Sequence, residues 1–139
     1  MTTEEIAYGC IKLWNQGRFR EAYETYYSND AVKIEPLSWG KHSNKVSGSQ
    51  NLADHEEWLT EDWLTINSVN ISEGPFIGAA GFSVIIRSDF TIRDTKSRHI
   101  FREVGVYTIE DGKIVREEFL YDEAEMAETR RLNRLAGNA

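Results

Sequence analysis

The chain has 139 residues, a net charge of −7 at pH 7 and a hydrophobic content of 40%, which are typical of one ordinary globular domain. The acidic charge argues against nucleic acid or an anionic membrane as a partner, and no apolar run approaches the roughly 20 residues that cross a bilayer. The single cysteine, Cys10, excludes an internal disulfide and a thiolate metal site. Because the first residues are acidic, unlike a signal peptide, we expect a cytoplasmic protein.

Helical periodicity predicts three helices in the first half of the chain, because apolar residues recur there at intervals of three and four. The first helix begins at the capping box of Thr2 and Glu5 and ends before Gly17, which suits a left-handed cap. A short strand follows the second helix and stops at Pro36, whose nitrogen cannot donate to a sheet. The expected ranges are residues 2–16, 18–28 and 49–59 for the helices and 31–35 for the strand.

Period-two alternation organises the second half of the chain. Between residues 81 and 122 it predicts three strands joined by short polar turns, which is an antiparallel meander. A further strand-like stretch is expected over residues 64–76, and a helical tail over residues 123–139. In the first strand of the meander, Arg87 and Asp89 alternate with an apolar set, so the two groups lie on opposite faces. The apolar set consists of Phe82, Val84, Ile86, Phe90 and Ile92.

We expect the polar face of this sheet to be the inner one, facing a cleft between the sheet and the helices. The apolar face then points outward, where an exposed hydrophobic patch usually marks an interface. This arrangement predicts a homodimer formed through the outer face of the sheet.

The turn at residues 110–112 sets the register of the last two strands. A three-residue loop that ends in a glycine at positive φ is favoured, and it pairs Tyr107 with Val115. A two-residue Asp-Gly loop is the alternative, and it shifts the pairing by one residue and reverses the faces. The favoured register places two further acids on the inner face. These are Glu103 and Glu117.

Helices that are segregated from an antiparallel sheet are typical of the α+β class. The order of the predicted elements is helix, helix, strand, helix and then a run of long antiparallel strands. We therefore expect a single domain over residues 1–139, in which a strongly curved sheet wraps over three N-terminal helices and forms a cone with an open mouth.

Three segments carry a resemblance to a known family. They are residues 28–32, residues 47–49 at the opening of the third helix, and residues 111–119 in the last strand. With the order of elements, they make nearly the whole chain resemble the SnoaL-like branch of the nuclear transport factor two-like superfamily. This superfamily includes ketosteroid isomerases, limonene epoxide hydrolases and polyketide cyclases, so one scaffold carries many activities. The resemblance implies a cystatin-like cone, a pocket inside the curved sheet and a homodimer.

The resemblance also suggests roles for single residues. Glu35, which precedes Pro36, matches the aspartate that is the general base of ketosteroid isomerase. Arg87 and Asp89 look like the arginine–aspartate pair of limonene epoxide hydrolase. The remaining catalytic positions of these two enzymes are not matched in kind. They are held here by Cys10, by Val104 or Glu103, by Lys33 and Glu35, and by Phe119.

Carboxyl groups and one arginine are the candidate catalytic residues. The set expected at the cleft is Glu35, Arg87, Asp89, Glu103 and Glu117. Crowded carboxyl groups cannot all stay ionised in a cleft, so at least one pKa should rise, which suits general acid and base chemistry. Glu35 or Asp89 is the expected base, and Arg87 is expected to orient the substrate. Glu103 or His55 is the expected acid.

Aromatic side chains are the candidate ligand-binding residues, because they stack on flat molecules. With one acid, the set is Trp14, Trp58, Tyr107, Glu117, Phe119 and Tyr121. The same aromatic residues also suit a hydrophobic core, and cross-strand pairs of arginine and glutamate often only solvate a sheet. Dinucleotide, phosphate-loop and zinc-protease motifs are missing from the sequence, so we expect no cofactor and no metal.

Two classes of function fit these observations. The first is a cofactor-independent isomerase, cyclase, dehydratase or hydrolase that acts on a small hydrophobic oxygenated molecule. The second is a non-catalytic small-molecule-binding or assembly domain on the same fold. A pocket carboxyl group with a raised pKa favours the enzyme, because a binding domain has no need of one.

Overall fold

The computed structural model describes residues 1–38 and 43–135, and its elements follow the predicted order. Three helices come first, with one strand between the second and third and a short strand before the third. The bounds are α1 Thr3–Asn15, α2 Phe19–Tyr26, β1 Tyr27–Ile34, β2 Lys45–Ser47 and α3 Ser49–Glu57. A π-helical stretch, Trp58–Trp63, leads into the long strands. These are β3 Leu64–Ile77, β4 Gly81–Ile92, β5 Arg98–Glu110 and β6 Lys113–Leu120, followed by helix α4 Glu123–Leu135.

The strands described form one curved sheet in the order β2-β1-β6-β5-β4-β3. Neighbouring strands are antiparallel except β1 and β6, which run parallel. The pairing of β3 with β4 shifts register after Ile66 and again after Ile71. Bulges of this kind bend a strand, so they contribute to the curvature of the sheet around the helices. The α+β class and the cone over three N-terminal helices are therefore confirmed.

The first helix follows its sequence signals closely. The Thr2 hydroxyl accepts a hydrogen bond from the Glu5 amide at 3.1 Å, and Gly17 adopts a φ of 70° just past the end of the helix. The apolar side of α1 packs on the concave face of the sheet together with residues of α2 and α3. Its buried residues are Ile6, Ala7, Cys10, Leu13 and Trp14.

The alternation predicted for β4 is correct, but the assignment of its faces is wrong. Phe82 and Val84 are 4% and 0% exposed and pack against the helices, as does Ile86, so the apolar face is the inner one. Arg87 is exposed on the convex face, opposite Arg102 of β5. The physical reason is that the helices need an apolar surface to cover, and this strand supplies the largest one. Phe82, Val84, Ile86 and Phe90 therefore cannot form the outer dimer surface that the sequence suggested.

The last hairpin also differs from the favoured register. Glu110 pairs with Lys113, so the loop has two residues, and Tyr107 pairs with Glu117 instead of Val115. A register shift between Thr108 and Ile109 inserts one extra residue, Val115, in β6. This irregularity cancels the reversal that a two-residue loop would otherwise cause. Odd-numbered residues of β5 and β6 therefore still share a face, which keeps Glu103 and Glu117 together.

The predicted tail begins as a regular helix. Thr129 and Leu132 of α4 are fully buried, and the Asn133 side chain donates a hydrogen bond of 2.7 Å to the Ser38 carbonyl oxygen. Residues 136–139 of this tail, and residues 39–42 of the loop after β1, lie outside the described residues. Within residues 1–38 and 43–135, no helix is long and apolar enough to cross a membrane.

Candidate functional site

A cavity lies between the three N-terminal helices and the concave face of the sheet. It has a volume of about 120 Å³ and a mainly apolar wall that carries five charged side chains. The charged residues are Lys33, Glu35, Glu56, Glu103 and Glu117. Strand alternation explains the set, because Lys33 and Glu35 are two residues apart and Glu103 lies opposite Ile86 on the inner face. A cavity with a few converging polar groups is the usual form of a small-molecule site.

Lys33 is the ammonium group at the centre of this cluster. It is 3% exposed, and its Nζ lies 3.6 Å from Glu35 Oε1 and 3.7 Å from Glu56 Oε2. The same Nζ lies 5.2 Å from the centre of the Phe119 ring. Burial lowers the pKa of Lys33, but the surrounding carboxylates outweigh this effect and raise it above its ordinary value, so Lys33 is a cation at neutral pH.

Glu117 is the most deeply buried carboxyl group, with 2% exposure. The Tyr23 hydroxyl donates a hydrogen bond of 3.0 Å to its Oε1, and the Tyr27 hydroxyl donates a second one to its Oε2. Burial raises the pKa of Glu117, whereas Lys33 and the two tyrosines partly oppose the rise. The two hydroxyl groups hold this side chain in a fixed orientation on the cavity wall.

Glu35 and Glu103 have the environments that acid and base chemistry requires. Burial raises the pKa of Glu35 to about 8, although Lys33 lowers it, and the charges of Glu117 and Glu56 raise it further. The Tyr121 hydroxyl donates a hydrogen bond to Glu35 Oε2. Burial also raises the pKa of Glu103 well above its ordinary range, and the neighbouring Glu35 adds to this rise. At neutral pH the pair therefore holds at least one proton.

Most of the predicted site residues do meet at this cavity. Glu35, Glu103 and Glu117 line it, as do the predicted ligand-binding residues Trp14, Tyr107 and Phe119. The aromatic residues form a connected wall, in which the Tyr107 ring lies 5.1 Å from Trp14 and 6.3 Å from Phe119. Tyr121 contributes through its hydrogen bond to Glu35.

Arg87 and Asp89 do not belong to this cluster, so their predicted place on the inner face is wrong. Asp89 accepts hydrogen bonds from Arg98 at 2.9 Å and from Asn67 at 3.1 Å on the convex face. These hydrogen bonds, and that of Arg98 above all, hold the pKa of Asp89 well below its ordinary value. The ion pair of Asp89 is therefore with Arg98 of β5, and not with Arg87 two residues before it.

The predicted site residues His55 and Trp58 are not among the residues that line the cavity. His55 is 3% exposed on α3, and its ring stacks on Trp58 at 6.2 Å between centres. Trp58 in turn stacks on Trp63 at 5.4 Å. These rings form a stacked row that joins α3 to the π-helical stretch, which supports a structural role for both residues.

The sequence reading missed Lys33, Glu56, Tyr23 and Tyr27 as site residues. Lys33 could have been predicted as a site residue, because its two-residue spacing from Glu35 puts both side chains on the same side of the chain at the end of β1. Tyr23 and Tyr27 could not be recognised from the sequence. A tyrosine whose hydroxyl group binds a buried carboxyl group has the same spacing pattern as an ordinary core tyrosine. Among the described residues, no group of three or more His, Cys, Asp and Glu side chains is arranged to hold a metal ion.

Comparisons with known proteins agree with this fold. A model of the SnoaL-like domain matches residues 1–121. A proposed SnoaL-like polyketide cyclase [carbohydrate phosphatase] from Mesorhizobium loti is similar at 30% identity and a TM-score of 0.76, over 87% of this chain and 100% of that one. No match was found among curated proteins.

Two more distant structures share the fold. A proposed isomerase from Bacillus subtilis has 15% identity and a TM-score of 0.69, over 95% of this chain and 97% of that one. An epoxide hydrolase of the LEH-like type from M. tuberculosis has 16% identity and a TM-score of 0.61, over 96% and 92% of the two chains. Since the family model covers residues 1–121 and a 30% identical relative spans the same fold, this chain belongs to the SnoaL-like domain family.

Proposed function

We propose that this protein is a cofactor-independent enzyme that performs carboxyl acid and base chemistry on a small hydrophobic oxygenated molecule. The reaction is an isomerisation, cyclisation, dehydration or hydrolysis. The observation that carries the proposal is that Glu35 and Glu103, both with raised pKa values, face one largely apolar cavity. A buried pair of carboxyl groups that shares a proton is suited to removing one proton from a substrate while donating another.

The surroundings of the two carboxyl groups support a different role for each. Glu35 contacts the Lys33 ammonium and accepts a hydrogen bond from Tyr121, and both interactions favour its ionised form. Burial and the charge of Glu35 raise the pKa of Glu103 well above its ordinary value, which favours its protonated form. In the proposed reaction Glu35 removes a proton from the substrate, and Glu103 donates its proton or a hydrogen bond to the substrate oxygen that gains negative charge.

The volume of the cavity limits the size of the substrate. An apolar cavity of about 150 Å³ accepts one benzene molecule. The cavity here, at about 120 Å³, is of similar size, so a single ring or a short branched chain is the proposed body of the substrate. The substrate class is accordingly a small ketone, hydroxy ketone or epoxide.

A turnover screen tests this proposal. Wild type, Glu35→Gln and Glu103→Gln are incubated with single-ring ketones, hydroxy ketones and epoxides in D₂O, and deuterium incorporation and products are followed by NMR. General acid and base groups each contribute about 100-fold or more, so both variants should lose at least that factor. Glu118→Gln is the matched control, because Glu118 is the next residue to Glu117 but pairs with Arg116 on the convex face.

Two outcomes would contradict the proposal. Full activity in both glutamine variants would remove the carboxyl pair from the chemistry. Ligand binding without any turnover, unchanged by either variant, would instead support the second class of function, a non-catalytic binding domain. In that case the cluster serves only to position Lys33 and Glu117 within the core.

We also propose that two copies of the chain associate through the convex face of the sheet. Ile85 pairs with Val104, and Val104 pairs with Leu120, so these three residues form an apolar row across β4, β5 and β6. Leu120 is 50% exposed. A second copy related by two-fold symmetry places the same row against itself, which is how closed dimers form. Leu120→Asp should then yield monomers in sedimentation experiments, and an unchanged dimer would rule out this surface.

The proposed location is the cytoplasm. The single cysteine, Cys10, is buried in the core, so folding of this chain requires no oxidising compartment. Fractionation of cells that express the native gene tests the location.

A further inference from the structure

The charges around the cavity do not balance among the described residues. Four carboxyl groups face one ammonium group, and that ammonium, Lys33, already lies between Glu35 and Glu56. Burying several carboxylates without partners is costly, and keeping protons on some of them is one way to reduce this cost. A positively charged ligand is the alternative, because it would neutralise part of the negative charge of these carboxyl groups.

The wall of the cavity is suited to such a ligand. Trp14, Phe19, Tyr23, Tyr107 and Phe119 all line it. Aromatic faces attract ammonium groups, and the Lys33 ammonium already lies over the Phe119 ring in this way. The cavity therefore offers an apolar ring surface for the body of a ligand and negative charge for its amine.

Glu103 is the carboxyl group with the least support from the protein. Within residues 1–38 and 43–135, no side chain or backbone group donates a hydrogen bond to it, whereas Glu35 and Glu117 both accept hydrogen bonds from tyrosines. Glu103 therefore stays protonated, and the carboxyl group that an added cation ionises is Glu35, which Lys33 and Tyr121 already support as a carboxylate.

We propose that the ligand of this cavity is a small single-ring or branched amine, which binds as the ammonium ion with its apolar part against the aromatic wall. This inference rests on the proposed function only in that both use the same cavity. It adds a basic nitrogen to the oxygenated substrate, and it excludes acids as ligands, because a carboxylate ligand would add to the excess negative charge.

Binding of an ammonium ion has a direct consequence for Glu35. A nearby cation lowers the pKa of a carboxyl group, so Glu35, which is mostly protonated at pH 7 in the empty site, releases its proton when the amine binds. The ligand thus creates the carboxylate that acts as base. Four carboxyl groups still outnumber two cations, so Glu103 retains its proton. The titratable and charged groups that face Glu35 are Lys33, Glu56, Glu103, Glu117 and Tyr121.

Calorimetry with three simple ring compounds tests the inference. Benzylamine, benzyl alcohol and benzoate are titrated into the protein at pH 7, each in phosphate and in HEPES, since the difference between the buffers counts the protons released. We expect benzylamine to bind at least tenfold more tightly than benzyl alcohol, with benzoate weakest. Of the three compounds, only benzylamine should cause the protein to release a proton on binding.

Variants identify the source of the effect. Glu35→Gln removes the carboxylate that pairs with the amine, so it should abolish proton release and weaken benzylamine at least fivefold without weakening benzyl alcohol. Glu103→Gln replaces a protonated acid by a neutral amide and should change benzylamine affinity much less. Glu118→Gln on the convex face should change neither quantity.

The outcomes separate the two proposals. Equal or tighter binding of benzyl alcohol, or binding of benzylamine without proton release, would overturn the amine inference. If Glu35→Gln still abolished turnover of a neutral ketone, the proposed acid and base function would stand without it. Failure of all three compounds to bind would overturn the amine inference and the assignment of the cavity together.

Discussion

Lys33 Nζ lies 3.6 Å from Glu35 Oε1, and both side chains project from the same face of β1 into a cavity that also holds three other carboxyl groups. This contact sets the charge state of the site. Lys33 lowers the pKa of Glu35, but burial and the other acids raise it more, to about 8. The base of the proposed reaction is therefore a group whose ionisation is balanced near neutral pH by one neighbouring ammonium.

Replacing Lys33 by methionine removes this balance. The pKa of Glu35 should rise above 8, because the interaction that lowers it is lost. At pH 9, where wild-type Glu35 is ionised next to its cation, the variant should lose about 3–5 kcal/mol of unfolding free energy, as expected when one partner of a buried ion pair is removed.

Urea unfolding at pH 6 and pH 9 measures this effect. The loss should be smaller at pH 6, where the carboxyl group is protonated in both proteins. Lys12→Met, at an exposed position of α1, should change the unfolding free energy by less than about 0.5 kcal/mol. The same loss for Lys33→Met at both pH values would mean that Lys33 contributes through packing alone.

The raised pKa of Glu35 predicts that the wild-type protein becomes less stable as the pH rises. The pKa is 4.5 for an ordinary glutamate and about 8 in the folded chain. Between these values the folded chain holds a proton that the unfolded chain has released, so the unfolding free energy falls as pH increases. The slope for one such proton is about 1.4 kcal/mol per pH unit. Glu35→Gln should flatten this slope in urea titrations from pH 5 to pH 8.5; an unaltered slope would place the titrating group elsewhere.

Asp89 should control stability at the opposite end of the pH range. Its pKa is lowered, mainly by its hydrogen bonds from Arg98 and Asn67, so its contribution is present above pH 4 and is lost as the pH falls further. Asp89→Asn should reduce the melting temperature at pH 7, and the reduction should become smaller as the pH falls from 4 to 2, because the unfolded chain then binds a proton at this position more readily than the folded chain does. Because Asp89 lies on the convex face, benzylamine binding at pH 7 should stay the same. Loss of benzylamine binding in this variant would contradict the placement of Asp89 outside the cavity.

Much of the fold was predictable from the sequence, because period-two alternation and helix caps are local signals. Alternation alone, however, does not state which side of a strand faces inward, and β4 has an ion pair on one side and large apolar residues on the other. Deciding between them required the helices of the first half as a covering layer. The hairpin after Glu110 shows a second limit, since the irregularity at Thr108 has no local signature and yet restores the alternation.

The site was predictable in part for the same reason. Glu103 and Glu117 were placed correctly by their parity, and Glu35 by its position before Pro36. Lys33 was read only as a substituted position, although its spacing from Glu35 puts it on the same face. Tyr27 precedes the predicted start of β1, so its contact with Glu117 depended on a strand that begins four residues earlier than expected.

The tyrosines that hold Glu117 provide a test of its orientation. Tyr23→Phe removes one donor at 3.0 Å and leaves the buried carboxyl group with a single hydrogen bond. Hydrogen bonds to charged groups contribute about 1.5–3 kcal/mol, so the unfolding free energy at pH 7 should fall by that amount. Tyr8→Phe is the control, because Tyr8 is 54% exposed on α1 and should show little change in the same urea experiment. Equal effects of both substitutions would remove the special role of the Tyr23 hydroxyl.

Helix α4 lies beyond residues 1–121, the part of the chain that matches the family model, yet it contributes to the core next to the cavity. Leu132 is fully buried against Phe90 and Phe101, and both of these residues also line the cavity. Leu132→Ala should therefore cost about 2–5 kcal/mol and leave space behind the cavity wall. The matched control is Leu135→Ala, one turn later in the helix, where the side chain is 51% exposed.

The added space makes a second, independent prediction. If Leu132 supports the cavity wall, Leu132→Ala should bind a ring amine with one extra methyl group, such as 4-methylbenzylamine, more tightly relative to benzylamine than wild type does. Leu135→Ala should keep the wild-type ratio. A loss of stability with an unchanged ratio would show that α4 secures the fold without shaping the site, because the rings of Phe90 and Phe101 would then hold their positions without Leu132 behind them.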